Sequence, residues 1–352
     1  MKDDFQIFAY PAGCADAFRI RFLGVDKKYH NIFIDSGLPR AYKEFLGKEI
    51  KSIEESDERI DAWLISHIDD DHIGGVKTYI SQIQKGKEND IVDRWIYNAP
   101  RLYPEIIQTP QSKEPSQGIG IESGDTVWKY IQSVNKINSL EEFSATTSPI
   151  NLLGLKMTFL SPSKTDIEKL RNKHTPKTGE PSKPKSPRTK DYYIKVEDFD
   201  FSDWKTDHSE ANRSSIVCLT EYENSKTLWL ADSHSEQVIE SLRELGYSDE
   251  NPICCDLVKV SHHGSFPNNS PELYKMIDCQ NYLISADGKG NPAKKTLAMI
   301  LRNQNRDLSN KYFFHFTNEA KELKNIFDSD GSEVFEKWNF EVKFVENNLL
   351  KY

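Results

Sequence analysis

No run of about 18 apolar residues occurs in this 352-residue chain, so nothing in it reads as a membrane-spanning helix. The opening residues MKDDFQIFAY lack the basic start and apolar core of a secretion signal, which predicts a soluble, cytoplasmic protein with no membrane partner. Cysteine is scarce. Cys14, Cys218, Cys254, Cys255 and Cys279 are odd in number and lack CxxC spacing, which excludes a disulfide framework and a thiolate zinc site and predicts reduced core thiols. The vicinal pair Cys254 and Cys255 is the one place where redox chemistry is open. Positive charge is also in deficit: the formal net charge is −9, so a surface built throughout for polyanions is excluded and any nucleic-acid contact must be local.

What is present is alternation. At this length one large domain with insertions or two smaller domains are both open. FQIFAY (5–10), AFRIRF (17–22) and NIFIDSG (31–37) read as strands. The apolar run IDAWLISH (60–67) precedes IGGVKTYISQIQ (73–84), where Ile73, Val76, Ile80 and Ile83 recur near the helical period. RWIYNA (94–99) and LKMTFLSP (155–162) read as strands, and GDTVWKYIQSVNKI (124–137) as a helix capped by Asp125. Residues 164–190 carry nine Lys or Arg against three Asp or Glu, with repeated prolines and few apolar residues, and predict a mobile basic loop that builds no core. Beyond it SSIVCLTEY (214–222) and TLWLADS (227–233) read as a hairpin. Helices are expected at 235–246, 271–277 and 293–303, alternating with strands in 256–265, 281–288 and 311–316. Such alternation without repeats is the pattern of an α/β fold rich in sheet.

The stretch SHIDDDHIGG (66–75) lies in the strand-to-helix loop and holds His67, Asp69, Asp71 and His72 within six residues. Imidazole with carboxylate suits zinc, manganese or iron, and four such groups supply half of a two-metal site. Gly74 and Gly75 are expected to let the helix start close to the ions. A calcium loop counted from Asp69 places Gly74 sixth but Ile80 at the twelfth position, where a glutamate is needed. A phosphate loop fails because Val76 precedes Lys77. An acidic helix cap with incidental histidines is the plain alternative. Two distant segments add ligand chemistry. Asp232 ends the apolar run TLWLA, as a metal-bridging carboxylate or as a cap for the following helix, and KVSHHGS ends a strand with His262 and His263.

Taken in order, AYPAGCADAFRIRF, NIFIDSG, SHIDDDHIGG, NRSSIVCL, LWLADS, KVSHHGS and YLISADGKGN resemble the metallo-β-lactamase superfamily over roughly residues 5 to 316. Among its branches the run is most similar to the hydrolase domain of the competence protein ComEC and its stand-alone relatives. The resemblance implies a four-layer αβ/βα sandwich of two mixed β-sheets flanked by helices. It implies a single domain over 1–352 with a basic insertion at about 162–210. It implies two divalent ions, zinc or manganese, with His67 and Asp69 on the first, Asp71 and His72 on the second, Asp232 between them and His262 as the last histidine. His263 then contacts ligands or substrate, although the two histidines are interchangeable in this assignment. Asp71, Asp232 and His263 form the expected catalytic set.

The chain departs from the family pattern at three places. Where the superfamily has a third histidine for the first ion, Asn212, Arg213, Ser214 and Ser215 stand here, with His208 nearby as a substitute. Ala231 replaces the glycine common before the bridging aspartate. GKGNPAKKT keeps Asn291 and Pro292 but lacks the branch's histidine. The expected reaction is metal-dependent hydrolysis through a metal-bridged hydroxide. The basic stretch favours a phosphodiester, that is, a nuclease on DNA or RNA. Asn212, Ser214, Ser215, Lys259 and Lys289 are the expected substrate contacts, with Tyr192, Tyr193 and Trp204 available for stacking. The alternatives are a hydrolase of a small ester, lactone or amide, and a catalytically weak binding subunit with a protein partner in a larger assembly.

Overall fold

The apolar run that leads into the aspartate-rich loop forms a strand, Ile60–Ile65, and its side chains divide by period two. Trp63 and Ile65 pack with the helical layer, whereas Ala62 and Leu64 face a second sheet. The same division separates Phe33 from Ile32 and Ile34 one strand away. Strands buried on both faces must lie between other layers, and here they do.

The computed structural model describes residues 4–100, 119–134, 136, 141–173 and 191–352. Its first sheet runs β1 (Phe5–Ala9), β2 (Ala17–Leu23), β3 (Tyr29–Asp35), β4 (Ile60–Ile65) and β5 (Trp95–Tyr97), in that spatial order. It is antiparallel from β1 to β3 and parallel from β3 to β5. After β6 (Ile150–Leu152), β7 (Leu155–Ser161), β8 (Val217–Tyr222) and β9 (Ser225–Trp229) come β10 (Ile253–Cys254), β11 (Leu257–Lys259), β12 (Ile277–Asp278), β13 (Asn281–Ile284), β14 (Tyr312–Phe316) and β15 (Phe340–Phe344). β10 and β12 pair separately. The others form the second sheet, in the order β15-β14-β13-β11-β9-β8-β7-β6. It is antiparallel from β6 to β9 and parallel from β9 to β15.

Three apolar layers result. Helices Gly47–Glu55, Asp70–Gln84 and Ile119–Val134 contribute Ile50, Ile53, Val76, Ile80 and Val127 to the outer face of the first sheet. Phe18, Ile20, Ala62 and Leu64 meet Met157, Cys218, Trp229 and Leu283 between the sheets. Helices Ser235–Glu244 and Lys294–Leu301 cover the outer face of the second. The whole is a mixed α/β sandwich of two mixed sheets flanked by helices. Parallel strands need crossovers, which is why the helices fall between β9, β11, β13 and β14 in sequence. The carboxyl ends of β3, β4, β9, β11 and β13 come together at one edge, the usual place for a site in sheets of this kind.

Four local expectations change. Asp125 lies inside the helix Ile119–Val134 and does not open it. The basic stretch begins as a helix, Lys164–Lys173, whose Ile167 and Leu170 are fully buried, because three-residue spacing puts both on one face. Its remainder, 174–190, lies outside the described residues, and Val196 and Phe199 beyond it pack into the second helical layer. Cys218, Cys255 and Cys279 are buried, but Cys254 is exposed and Cys14 half-buried. The sheet also extends past residue 316: β15 pairs with β14, and Leu350 is buried between the sheets with its N–H donating to Ile7 O. No described helix is long and apolar enough to cross a membrane.

Candidate metal centre

Asp69 occupies the N-cap of the helix Asp70–Gln84, yet its side chain makes no capping hydrogen bond. A capping carboxylate normally accepts from the first helical N–H groups. Here Asp69 Oδ2 lies instead 3.7 Å from His67 Nε2. Asp71 and His72 follow in the first helical turn, where the positive end of the helix dipole favours the carboxylates. The two glycines serve a different purpose from the one expected. A Cβ on Gly74 would collide with Pro39 and one on Gly75 with Ser36 O, so they let the helix press against the turn after β3.

From the second sheet, Asp232 follows β9 and His262 and His263 follow β11. Asp71, His72, Asp232 and His263 each direct one ligand atom into a common space, all within 4.8 Å of one another. His72 Nε2 is 3.4 Å from Asp232 Oδ1 and 3.8 Å from Asp71 Oδ2, and His263 Nε2 is 3.2 Å from Asp71 Oδ2. On the other side of Asp232, His67 Nε2 lies 4.0 Å and His262 Nε2 3.5 Å from Oδ2. Asp232 does not cap the helix Ser235–Glu244, whose N-cap is His234.

The rings are aimed from behind. His72 Nδ1 donates to Asp35 Oδ2 at 2.7 Å, and Ser66, bonded to Asp35 through both its N–H and its hydroxyl, stands 3.0 Å from His67 Nδ1. With both Nδ1 atoms so engaged, the Nε2 lone pairs point into the group. His67 Nε2, His72 Nε2 and Asp232 Oδ1 are buried and have no hydrogen-bond partner among the described residues. Orphaned buried polar atoms of this sort are costly, and three converging on one space are the imprint of a cation seat. The carboxylate and imidazole donor set suits zinc or manganese.

The charges agree. Burial opposes ionisation of Asp71 and Asp232, but the surrounding imidazoles overcome it and hold both carboxyls well below the usual range. Burial likewise opposes charge on His72, and Asp232, Asp35 and Asp71 overcome it, so its pKa is raised. For His262 burial prevails and lowers the pKa. A second close group, Asp16, Asp35 and His72, is a support for the first and no cation seat. His72 Nδ1 already donates to Asp35 there, and the Lys259 ammonium pairs with Asp16.

The remaining expected residues fall in different places. Asn212 is buried, with Nδ2 donating to Asp207 Oδ2 at 2.6 Å, whereas the ring of His262 is braced by Asn268, whose Oδ1 accepts from His262 Nδ1 at 2.8 Å. Ser214 donates to Ala211 O, and Ser215 is buried. Lys259 is not at a surface where substrate could meet it: it is buried and ion-paired with Asp16, because a lysine on an inner strand needs a partner. Lys289 is exposed beside Asp287. His208 is exposed and takes no part in the buried group. Tyr192 donates to Pro292 O and Trp204 to Phe266 O, whereas Tyr193 is exposed. Sequence reasoning assigned no role to Asp16, Asp35 or the buried His234. For Asp35 a signal was available, since it ends an apolar strand just as Asp232 does.

Residues 25–128 match the family model described as Metallo-beta-lactamase superfamily. No curated protein matches the chain. Among solved structures it is similar to a mutant of the CmlA beta-hydroxylase, with 12% identity and TM-score 0.41 over 100% of this chain and 54% of that one. The metallo-beta-lactamase fold protein YhfI from Bacillus subtilis shares 12% identity at TM-score 0.42, over 98% and 97% of the two chains. A long form RNase Z from yeast shares 11% at TM-score 0.33, over 81% and 37%. The chain thus spans about half the length of the CmlA chain. The sandwich and the family-model match are consistent with the metallo-β-lactamase fold.

Proposed function

We propose that the chain is a metal-dependent hydrolase that cleaves phosphodiesters, with nucleic acid as its substrate class. The observation that carries this reading is the convergence of His67 Nε2, His72 Nε2 and Asp232 Oδ1, all buried without a partner among the described residues, at the edge where the two sheets meet. Two ions fit the donors: His67, Asp69, Asp232 and His262 for one, and Asp71, His72, Asp232 and His263 for the other. In this assignment His262 replaces the superfamily's missing third histidine, and Asn268 Oδ1, 2.8 Å from its Nδ1, orients it. Paired divalent ions acidify water and neutralise charge on a phosphoryl or carbonyl oxygen. Asp69 and Asp71 are the most exposed members, at 38% and 30%, so substrate enters on their side. From there Asp71 accepts a hydrogen bond from the attacking water and holds it in line. The motif order supports placement in the ComEC-type branch.

The choice of a phosphodiester rests on charge. The elements before and after the basic segment each connect to the site through one intermediate residue. Asp166, on the preceding helix, pairs with Arg213 at 2.7 Å, next to Asn212. Tyr192, on the far side, bonds to Pro292 O, next to Asn291, whose Nδ2 donates to His262 O at 3.1 Å. The test is to measure bound metal and then turnover of labelled DNA and RNA, bis-aryl phosphates and lactones by wild type, His67→Ala and Asp71→Asn. Phosphodiester cleavage that falls about 100-fold or more in both variants is expected. Equal activity in all three proteins, or turnover of neutral lactones alone, would overturn it.

A further inference from the structure

Asp16 lies in the turn before β2, far in sequence from every ligand, and is fully buried. Its backbone N–H donates to Asp71 O at 3.1 Å, and its carbonyl accepts from Gly37 N at 2.7 Å. Its carboxylate is shared. Oδ1 accepts from Ser285 Oγ and stands 3.3 Å from His263 Nδ1, while Oδ2 pairs with Lys259 Nζ. Lys259, also fully buried, donates in addition to Ala231 O at 3.1 Å. Ala231 carries a left-handed backbone, φ +46°, and immediately precedes Asp232. One ion pair therefore touches the supports of Asp71, His263 and Asp232, and it joins a loop of the first sheet to a strand of the second.

A buried lysine–carboxylate pair is a poor means of gaining stability, because desolvation cancels much of the attraction. What such a pair does supply is direction. His263 Nδ1 faces Asp16 Oδ1 and Ser285 Oγ, the latter at 3.1 Å, so Nδ1 bears the hydrogen and Nε2 is left as the acceptor facing Asp71 and Asp232. Lys259 neutralises Asp16 and so prevents it from competing for the cation itself.

We propose that Asp16, clamped by Lys259, is a positioning residue that fixes the tautomer and aim of His263 at the second ion, an inference that rests on the metal centre proposed above. The ion pair is a hinge pin between the two sheets at the site.

The test uses the full chain as wild type, Asp16→Asn, and Asp16→Asn combined with Lys259→Met, which removes both charges together. Cobalt(II) uptake is followed by visible absorption and by competition with a chromophoric chelator. The histidine tautomers of the zinc-loaded proteins are read from long-range 1H–15N correlations. Both variants are expected to hold one ion about 10- to 100-fold more weakly and the other within about twofold, with the His263 resonances displaced and those of His67 unmoved. A folded double variant that takes up both ions like wild type, with unchanged His263 signals, overturns the inference and leaves the metal centre standing. Wild type that binds no cobalt or zinc overturns both. If neither variant folds, the pair is a folding determinant and the positioning role is rejected.

Discussion

His262 and His263 bring their Nε2 atoms to within 3.5 and 3.8 Å of the same oxygen, Oδ2 of Asp232, with their ring planes 73° apart. Neighbours in an extended strand point to opposite faces. These two share a target because both backbones are left-handed, at φ 46°, ψ 52° and φ 54°, ψ 23°. Such conformations cost about 1–2 kcal/mol per non-glycine residue, and they persist where surrounding contacts impose them. Asn291 Nδ2 on His262 O is one such contact. In the two-ion arrangement proposed above, His262 is assigned to one ion and His263, whose Nε2 also lies 3.2 Å from Asp71 Oδ2, to the other. His262→Ala is expected to lower bound metal from two ions to one per chain, and activity by about 100-fold. Metal analysis after dialysis decides it; two retained ions would reject the division.

Asp35 holds both Ser66 and His72, so its loss acts on His67 and His72 at once. Asp35→Ala leaves buried donors unpaired, at about 1–3 kcal/mol. Metal affinity is expected to drop about 10- to 100-fold. Urea unfolding and chelator competition measure the two effects separately, and a variant that loses stability alone would show that Asp35 does not aim the ligands.

Leu170 belongs to the same buried cluster as Trp128 and Ile131. Leu170→Ala is expected to destabilise the chain by about 2–4 kcal/mol, as a core truncation does. A change under about 0.5 kcal/mol in urea titration, the range of surface substitutions, would mean that this helix is dispensable to the core.

If the positive charge of segment 174–190 serves polyanion capture, its effect is separable from the reaction. Deleting 175–190 is expected to raise KM for single-stranded polynucleotide about tenfold at low salt and to flatten its dependence on salt. Turnover of a bis-aryl phosphate, which offers a single charge, should change less than twofold. Equal loss on both substrates would place the segment in the reaction itself and not in polyanion capture.

His30 reports on the far side of the first sheet. Burial disfavours its charged ring, but hydrogen bonds to Asp26 at 2.9 Å and Asp61 at 2.6 Å outweigh that, so its pKa is raised. A raised folded value gives stability that is complete below the unfolded pKa of about 6.5 and disappears as pH climbs through the folded one. Wild type should therefore exceed His30→Gln in stability at about pH 5.5 and lose that margin by about pH 9. A margin that does not vary with pH in urea titrations would contradict it.

The strands were legible because period-two alternation is strong in AFRIRF and NIFIDSG, and β2 and β3 begin and end within a few residues of those runs. The helix Lys164–Lys173 was not, because its two buried apolar residues, Ile167 and Leu170, are outnumbered by lysines whose charge dominates composition. The aspartate-rich loop announced its ligands by crowding. Asp16 and Lys259 could not announce their pairing, since nothing in a linear pattern indicates that residues so far apart meet. His262 and His263 were legible as a pair, but where each ring is aimed depends on backbone angles that sequence does not display.

The proposed ligands come from opposite halves of the sandwich: His67, Asp69, Asp71 and His72 from one, Asp232, His262 and His263 from the other. Any cation lodged among them is a rivet through two plates. Removing it loosens the seam before it harms either plate, so chelation should first appear as slippage between the halves, with each sheet still paired within itself.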